Sequence, residues 1–236
     1  MLIETATRDT TLADDAYEAL RWDIVSGALP AGGPLRMEAL RARYGLGFSP
    51  LREALNRLEG ERLVTLVPQR GFAVAPLSLA AMWDALEARI LIESQALRLA
   101  VARGGDDWES AIVANFHALA TSAARIRDTA PDADALRALE ERHQRFHRAL
   151  IAACGSPWLL RFAETLYAAT ERFRFPALGG LMKGSARDVT AEHRAIMEAA
   201  LARDPDSLVR LVAQHYRRTG ESLARVYADG ADATPP

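Results

Sequence analysis

The chain has 236 residues, half of them apolar, and its 29 basic and 31 acidic side chains leave a formal net charge of −2. That is ordinary globular composition with enough apolar content for a sizeable core, and no run approaches the roughly 18 uncharged apolar residues of a membrane span. A single cysteine, Cys154, excludes an internal disulfide and fits a reducing cytoplasm, and the N-terminus lacks the basic-then-apolar order of a secretion signal.

In chain order, Ala13–Ser26 carries Ala16, Leu20, Ile24 and Val25 at helical spacing. The segment from Gly27 to Pro34 breaks any helix. Met37–Tyr44 reads as a second, short helix, and Gly45-Leu46-Gly47-Phe48 as a tight turn. Ser49 then supplies an N-cap and Pro50 the first helical position of a third helix. Its apolar face is Leu51, Ala54, Leu55 and Leu58, with Arg52, Asn56 and Arg57 off that face. Residues 63–67 and 72–75 read as strands flanking Pro68-Gln69-Arg70-Gly71, a hairpin with a basic tip.

Helix, tight turn, helix and wing together predict a winged helix-turn-helix. From Arg36 to Arg70 there are seven arginines against four glutamates, a local charge of +3 in a chain that is negative overall. Arginine at the start of a helix that enters the major groove reaches base edges or phosphates. The alternative is a solvated helix pair that binds protein.

The run Ser49-Pro50-Leu51-Arg52-Glu53-Ala54-Leu55, followed by Leu58-Glu59, Arg62-Leu63-Val64 and Pro68-Gln69-Arg70-Gly71-Phe72-Ala73-Val74, resembles the DNA-binding domain of the GntR family. The resemblance spans residues 12–76 and implies that Arg52 and Gly71 contact DNA, with Ser49 and Arg70 beside them. The family commonly has a serine and an arginine where this chain has Gly47 and Phe48, and often an arginine near Glu38. Arg36, Arg41 or Arg43 are the candidates to supply those contacts.

After a boundary near Pro76–Ser78 the pattern turns wholly helical, and residues 78–229 read as a second, all-α domain. Six helices are expected, at about 79–103, 107–127, 132–153, 157–175, 186–203 and 205–228. The fold class is therefore mainly α: a winged helix-turn-helix followed by an antiparallel helical bundle.

Four of the five histidines lie on inward helical stripes: His143 and His147 one turn apart, then His193, then His215. Histidine is seldom buried without a partner. Four of them on three helices either converge on a divalent transition metal, such as Zn or Ni, or are separately hydrogen-bonded in the core. Arg89 sits among Leu86, Ile90 and Leu97 and needs an anionic partner, either Glu93 one turn away or a carboxylate ligand gripped by its fork. Arg172 and Arg174 are further effector candidates or plain surface residues.

Phe146-His147-Arg148-Ala149-Leu150, His193 and His215 resemble the FCD ligand-binding domain in order and spacing. That resemblance implies a metal site in which His143 stands at the family's acidic position, and an arginine, Arg89, that helps hold a small organic acid beside the metal. Glu141–His147 and Ala153–Leu160, with the recognition-helix run, are similar to the CsiR-type repressors, which answer to glutarate.

The expected function is a cytoplasmic, homodimeric, ligand-responsive regulator that binds a double-stranded DNA operator and has no membrane partner. It is expected to be a repressor released by a small carboxylate. The competing readings are a metal-dependent enzyme acting on small organic acids and a protein-only scaffold. Against an enzyme, the sequence has no His-Glu-x-x-His, nucleophile or phosphate-loop motif.

Overall fold

The computed structural model describes residues 11–127, 132–182 and 187–231. They fall into two compact units, one ending at Leu77 and one beginning at Ser78.

The first unit opens with α1 (Leu12–Val25), whose start is fixed by a reciprocal cap: the Thr11 hydroxyl accepts from the Asp14 amide and the Asp14 carboxylate accepts from the Thr11 amide. Then come β1 (Pro34–Leu35), α2 (Met37–Tyr44), α3 (Phe48–Gly60), β2 (Val64–Val67) and β3 (Gly71–Val74). Gly45, at φ 67°, turns the chain out of α2 through the left-handed region that favours glycine. Leu20, Leu51, Leu55, Leu58 and Leu63 are fully buried where the helices meet the sheet.

Two expectations need correction. The α3 N-cap is Gly47, not Ser49. The helix starts at Phe48, so Ser49 and Pro50 both lie in its first turn, where amide hydrogens have no intrahelical acceptor and proline costs little. The region before Pro34 is a turn as expected, but Pro34–Leu35 pairs antiparallel with β3 and makes a three-stranded sheet of order β1-β3-β2. Two residues are too few to show alternation, and an edge strand tolerates a proline.

The second unit contains α4 (Leu79–Arg103), α5 (Asp106–Arg127), α6 (Ala133–Ile151), a tight turn at Ala152–Cys154, α7 (Pro157–Met182), α8 (Val189–Leu201) and α9 (Pro205–Ala231). Phe146, Leu97, Ile112, Leu150, Ile196 and Leu208 form the fully buried centre of its core. α4 packs on α7 and α9, while α5 packs on α6 and α8. α7 runs beyond the expected end at 175 and passes through Pro176. Phe173, Phe175 and Ala177 are all buried, so tertiary packing outweighs the broken backbone bond. No described helix is long and apolar enough to cross a membrane.

Candidate functional site

α6, α8 and α9 bring four imidazoles to one point. His143 and His147 lie on the inward stripe of α6 with Leu139, Phe146 and Leu150. His193 comes from α8 and His215 from α9. One ring nitrogen from each lies within 4.8 Å of all the others. His147 Nε2 is 3.2 Å from His143 Nε2 and 3.3 Å from His193 Nε2. The fifth histidine, His117, is exposed on α5.

Burial comes first among the causes that hold His143, His147 and His193 well below the usual histidine range, followed by the charge of neighbouring rings and arginines. Burial also lowers His215, to about 4, against the opposing pull of Glu192. The rings are neutral at pH 7, the form in which imidazole is a ligand. A tetrahedral ion with bonds of about 2.0–2.1 Å sets its ligand nitrogens about 3.3–3.4 Å apart. The His147 spacings to His143 and His193 match that value, the four nitrogens together lie within 4.8 Å, and an all-imidazole set suits Zn, Ni or Cu.

A second layer of polar groups surrounds the rings. Tyr216 lies 3.0 Å from His147 Nδ1 and donates to Glu93 Oε2 at 2.6 Å. Arg89 donates to Glu93 Oε1 at 2.6 Å, Tyr216 Oη at 2.8 Å and Thr170 Oγ1 at 3.2 Å. The core partner expected for Arg89 is thus present, and Arg89 is only 3% exposed. On the other side His143 Nδ1 lies 3.4 Å from Tyr167 Oη, which bonds Glu140 and accepts from Arg174 Nη2 at 2.8 Å. Arg174 also pairs with Glu140. His215 Nδ1 lies 2.8 Å from Glu192 Oε2, and Arg187 pairs with the same carboxylate. Although partial burial raises the Glu192 carboxyl, bonds from Arg187 and His215 hold it well below the usual range.

The surface alternative for Arg172 and Arg174 is overturned, because α7 is packed on its neighbours and both side chains are buried. They diverge, however. Arg172 stacks toward Phe173 and interacts with Tyr227, whereas the charge of Arg174 acts on all four histidines. Arg174 is an arginine of α7 whose charge reaches the cluster.

Sequence reasoning missed Glu140, Tyr167, Arg187, Glu192 and Tyr216 as parts of this layer, and named Arg174 only as an effector candidate beside Arg172. Two signals were available. Glu140 shares the helical stripe of His143 and His147, and Tyr167, Thr170 and Arg174 form a polar stripe in an apolar helix.

In the first unit Arg36, Arg41, Ser49, Arg52, Arg70 and Gly71 are all exposed. Arg52 projects from the first turns of α3 while Leu51, Ala54 and Leu55 face the core. Arg41 lies over the Phe48 ring at 5.4 Å. Two other arginines are tied down: Arg43 to Asp23 at 2.7 Å, and Arg57 to Asp14 at 2.7 Å with its guanidinium over the Tyr17 ring. Between β2 and β3 the Val67 carbonyl accepts from the Arg70 amide at 3.0 Å, and the turn puts Gln69 at φ 61° and Gly71 at φ 84°. Arg70 is thereby presented at the wing tip.

Comparison with known proteins agrees with both halves. Residues 12–74 match the model of bacterial regulatory proteins of the gntR family, and residues 84–218 match the FCD domain. The chain is 38% identical over 203 residues to the HTH-type transcriptional repressor GlaR of Escherichia coli K12, covering 85% of this chain and 90% of that one. It is also 38% identical to the HTH-type transcriptional regulator BphR of Paraburkholderia xenovorans, covering 87% of this chain and 82% of the relative. The solved structure of E. coli McbR/YncC has the same fold, with a TM-score of 0.74 at 19% identity over 92% of this chain and 99% of that one. GlaR and BphR are transcriptional regulators, not enzymes. With both models matched in order and more than a third identity along most of its length, the chain belongs to the gntR family of bacterial regulatory proteins, in the branch that carries an FCD domain.

Proposed function

We propose that the protein is a homodimeric repressor that leaves its DNA operator when a small dicarboxylate of the glutarate class binds beside a divalent metal. The observation that carries this reading is the convergence of His143, His147, His193 and His215, each offering a nitrogen within 4.8 Å of the rest. Those residues would hold the ion. Ion pairs surround them: Arg89–Glu93, Arg174–Glu140, and Arg187 and Arg218 on Glu192. Bound to four neutral imidazoles, the metal supplies a Lewis-acidic, doubly positive centre that attracts a carboxylate.

The repressor assignment follows the name of the relative GlaR. The glutarate class follows the likeness of residues 49–55, 141–147 and 153–160 to glutarate-responsive repressors. A dimer presents two α3 helices to a palindrome about one DNA turn apart, with Arg52 facing base edges and Arg36, Arg41, Ser49, Arg70 and Gly71 facing the backbone and groove edges. Effector binding then shifts the pair between operator-competent and incompetent spacings.

The test is a thermal-shift screen of metal-stripped and metal-loaded protein against mono-, di- and tricarboxylates. A ligand of the folded state raises the melting temperature in step with its concentration and affinity. Glutarate is expected to stabilise only the loaded protein and to lower its affinity for a selected operator. Equal operator affinity with and without a demonstrably bound acid rejects the reading.

A further inference from the structure

We propose that Tyr167 and Tyr216 are positioning residues that decide which nitrogen of His143 and His147 carries the proton, so that both Nε2 lone pairs face the centre of the cluster. The purpose of this device rests on the metal reading above, but its content follows from counting donors and acceptors.

The Tyr216 hydroxyl has one proton and three polar neighbours. Arg89 Nη2, at 2.8 Å, can only donate. Glu93 Oε2, at 2.6 Å, belongs to a carboxylate whose other oxygen is held by Arg89 Nε at 2.6 Å, so it accepts. The hydroxyl proton therefore goes to Glu93. His147 Nδ1, at 3.0 Å, is left as a donor to the hydroxyl oxygen. A neutral imidazole protonated on Nδ1 has its lone pair on Nε2, the atom that faces His143 and His193.

The same chain of groups recurs at His143. Tyr167 donates to Glu140, accepts from Arg174 Nη2 at 2.8 Å, and leaves His143 Nδ1 at 3.4 Å as the donor. Arginine, glutamate, tyrosine and histidine thus follow one another twice, in side chains drawn from α4, α9 and α6 in one case and from α7 and α6 in the other. The Arg89 guanidinium lies over both tyrosine rings, 4.1 Å from Tyr216 and 4.8 Å from Tyr167, and braces the two chains together. At His215 the nearer neighbour of Nδ1 is the Glu192 carboxylate at 2.8 Å, an acceptor, with the Arg187 guanidinium farther off at 3.2 Å, and the shorter contact favours the same tautomer without a tyrosine.

The isosteric variant Glu93→Gln separates this from a merely structural role. With its carbonyl oxygen on Arg89, the glutamine turns its NH2 toward Tyr216 and reverses the direction of donation. Tyr216 then donates to His147 Nδ1, and the ring proton moves to Nε2. The experiment is long-range 1H–15N correlation on the metal-free full-length protein with 15N-labelled histidine at pH 7, together with chelator-competition titration of Zn(II). In the parent, His143, His147 and His215 are expected with protonated Nδ1 and bare Nε2. Glu93→Gln should flip His147 alone, and Tyr216→Phe should leave it a mixture of tautomers. Both should weaken Zn(II) binding roughly 10- to 100-fold, the usual cost of losing an outer-layer partner. A protonated Nε2 on His147 in the parent overturns the proposal, as does unchanged Zn(II) affinity in both variants when the parent binds the ion. Failure of the parent to bind Zn(II) or Ni(II) removes the metal reading instead, while the spectra still decide the tautomers. Should Tyr216→Phe fold poorly, Glu93→Gln carries the test alone, because it preserves shape and an oxygen for Arg89 while reversing the Tyr216 bonds to residue 93 and to His147.

Discussion

In the N-terminal unit Arg36, Arg52 and Arg70 stand exposed with no side-chain partner among the described residues. In the C-terminal unit Arg89 and Arg174 are buried and held by glutamate, tyrosine and threonine. The contrast separates two uses of one side chain. An exposed guanidinium adds little to the fold, so several of them across a recognition helix and a wing are explained by an external polyanion. A buried one must be answered from within, and Arg89 and Arg174 are answered by Glu93 and Glu140.

The largest effect that would break this contrast is expected from Glu140→Ala. It leaves Arg174 buried without its carboxylate, and removing one partner of such a pair costs about 3–5 kcal/mol. Chemical denaturation of the second unit reads it, and a loss below about 1 kcal/mol would mean that Arg174 relaxes to water. Stripping the metal comes next. If the ion is present at about 100 times its dissociation constant, its removal lowers stability by about 2.7 kcal/mol. A melting curve that a strong chelator does not move would speak against the four-histidine site. Arg52→Ala should leave folding intact and weaken specific operator binding by about 1–3 kcal/mol, read by fluorescence anisotropy at fixed salt. Unchanged operator affinity would take Arg52 out of the interface.

The smallest effect lies in an exposed pair of the first unit. The Arg57 bond, with help from the Thr11 cap, lowers the Asp14 carboxyl to about 2. A depressed folded-state pKa adds stability above the unfolded value near 4 and loses it as pH falls toward 2. Asp14→Asn should therefore flatten the pH dependence of the unit's stability between about pH 4 and 2, and a carboxyl signal titrating near 4 in the parent would contradict the bond.

Much of this was legible in the sequence, for identifiable reasons. Helical spacing put Leu51, Ala54, Leu55 and Leu58 on one side of α3 and left Arg52 on the other, because a helix displays its faces in a fixed order. The same spacing placed His143, His147, His193 and His215 on inward stripes, and their convergence needed only that those stripes share a core. What escaped was nonlocal. β1 exists because β3 offers it a ladder, and Pro176 stays in a helix because Phe173, Phe175 and Ala177 are buried around it. The partnership of Tyr216 with Glu93 spans 123 positions, and no periodicity within one helix reports a contact between two.

The arginines around the histidines are already engaged by glutamates. Arg89 is matched by Glu93 and Arg174 by Glu140, while Glu192 takes both Arg187 and Arg218. An ion seated among the imidazoles would add a double positive charge for an anion to join. If the proposed reading holds, such a sensor would work as a conjunction, answering to the acid only where the metal is also in place.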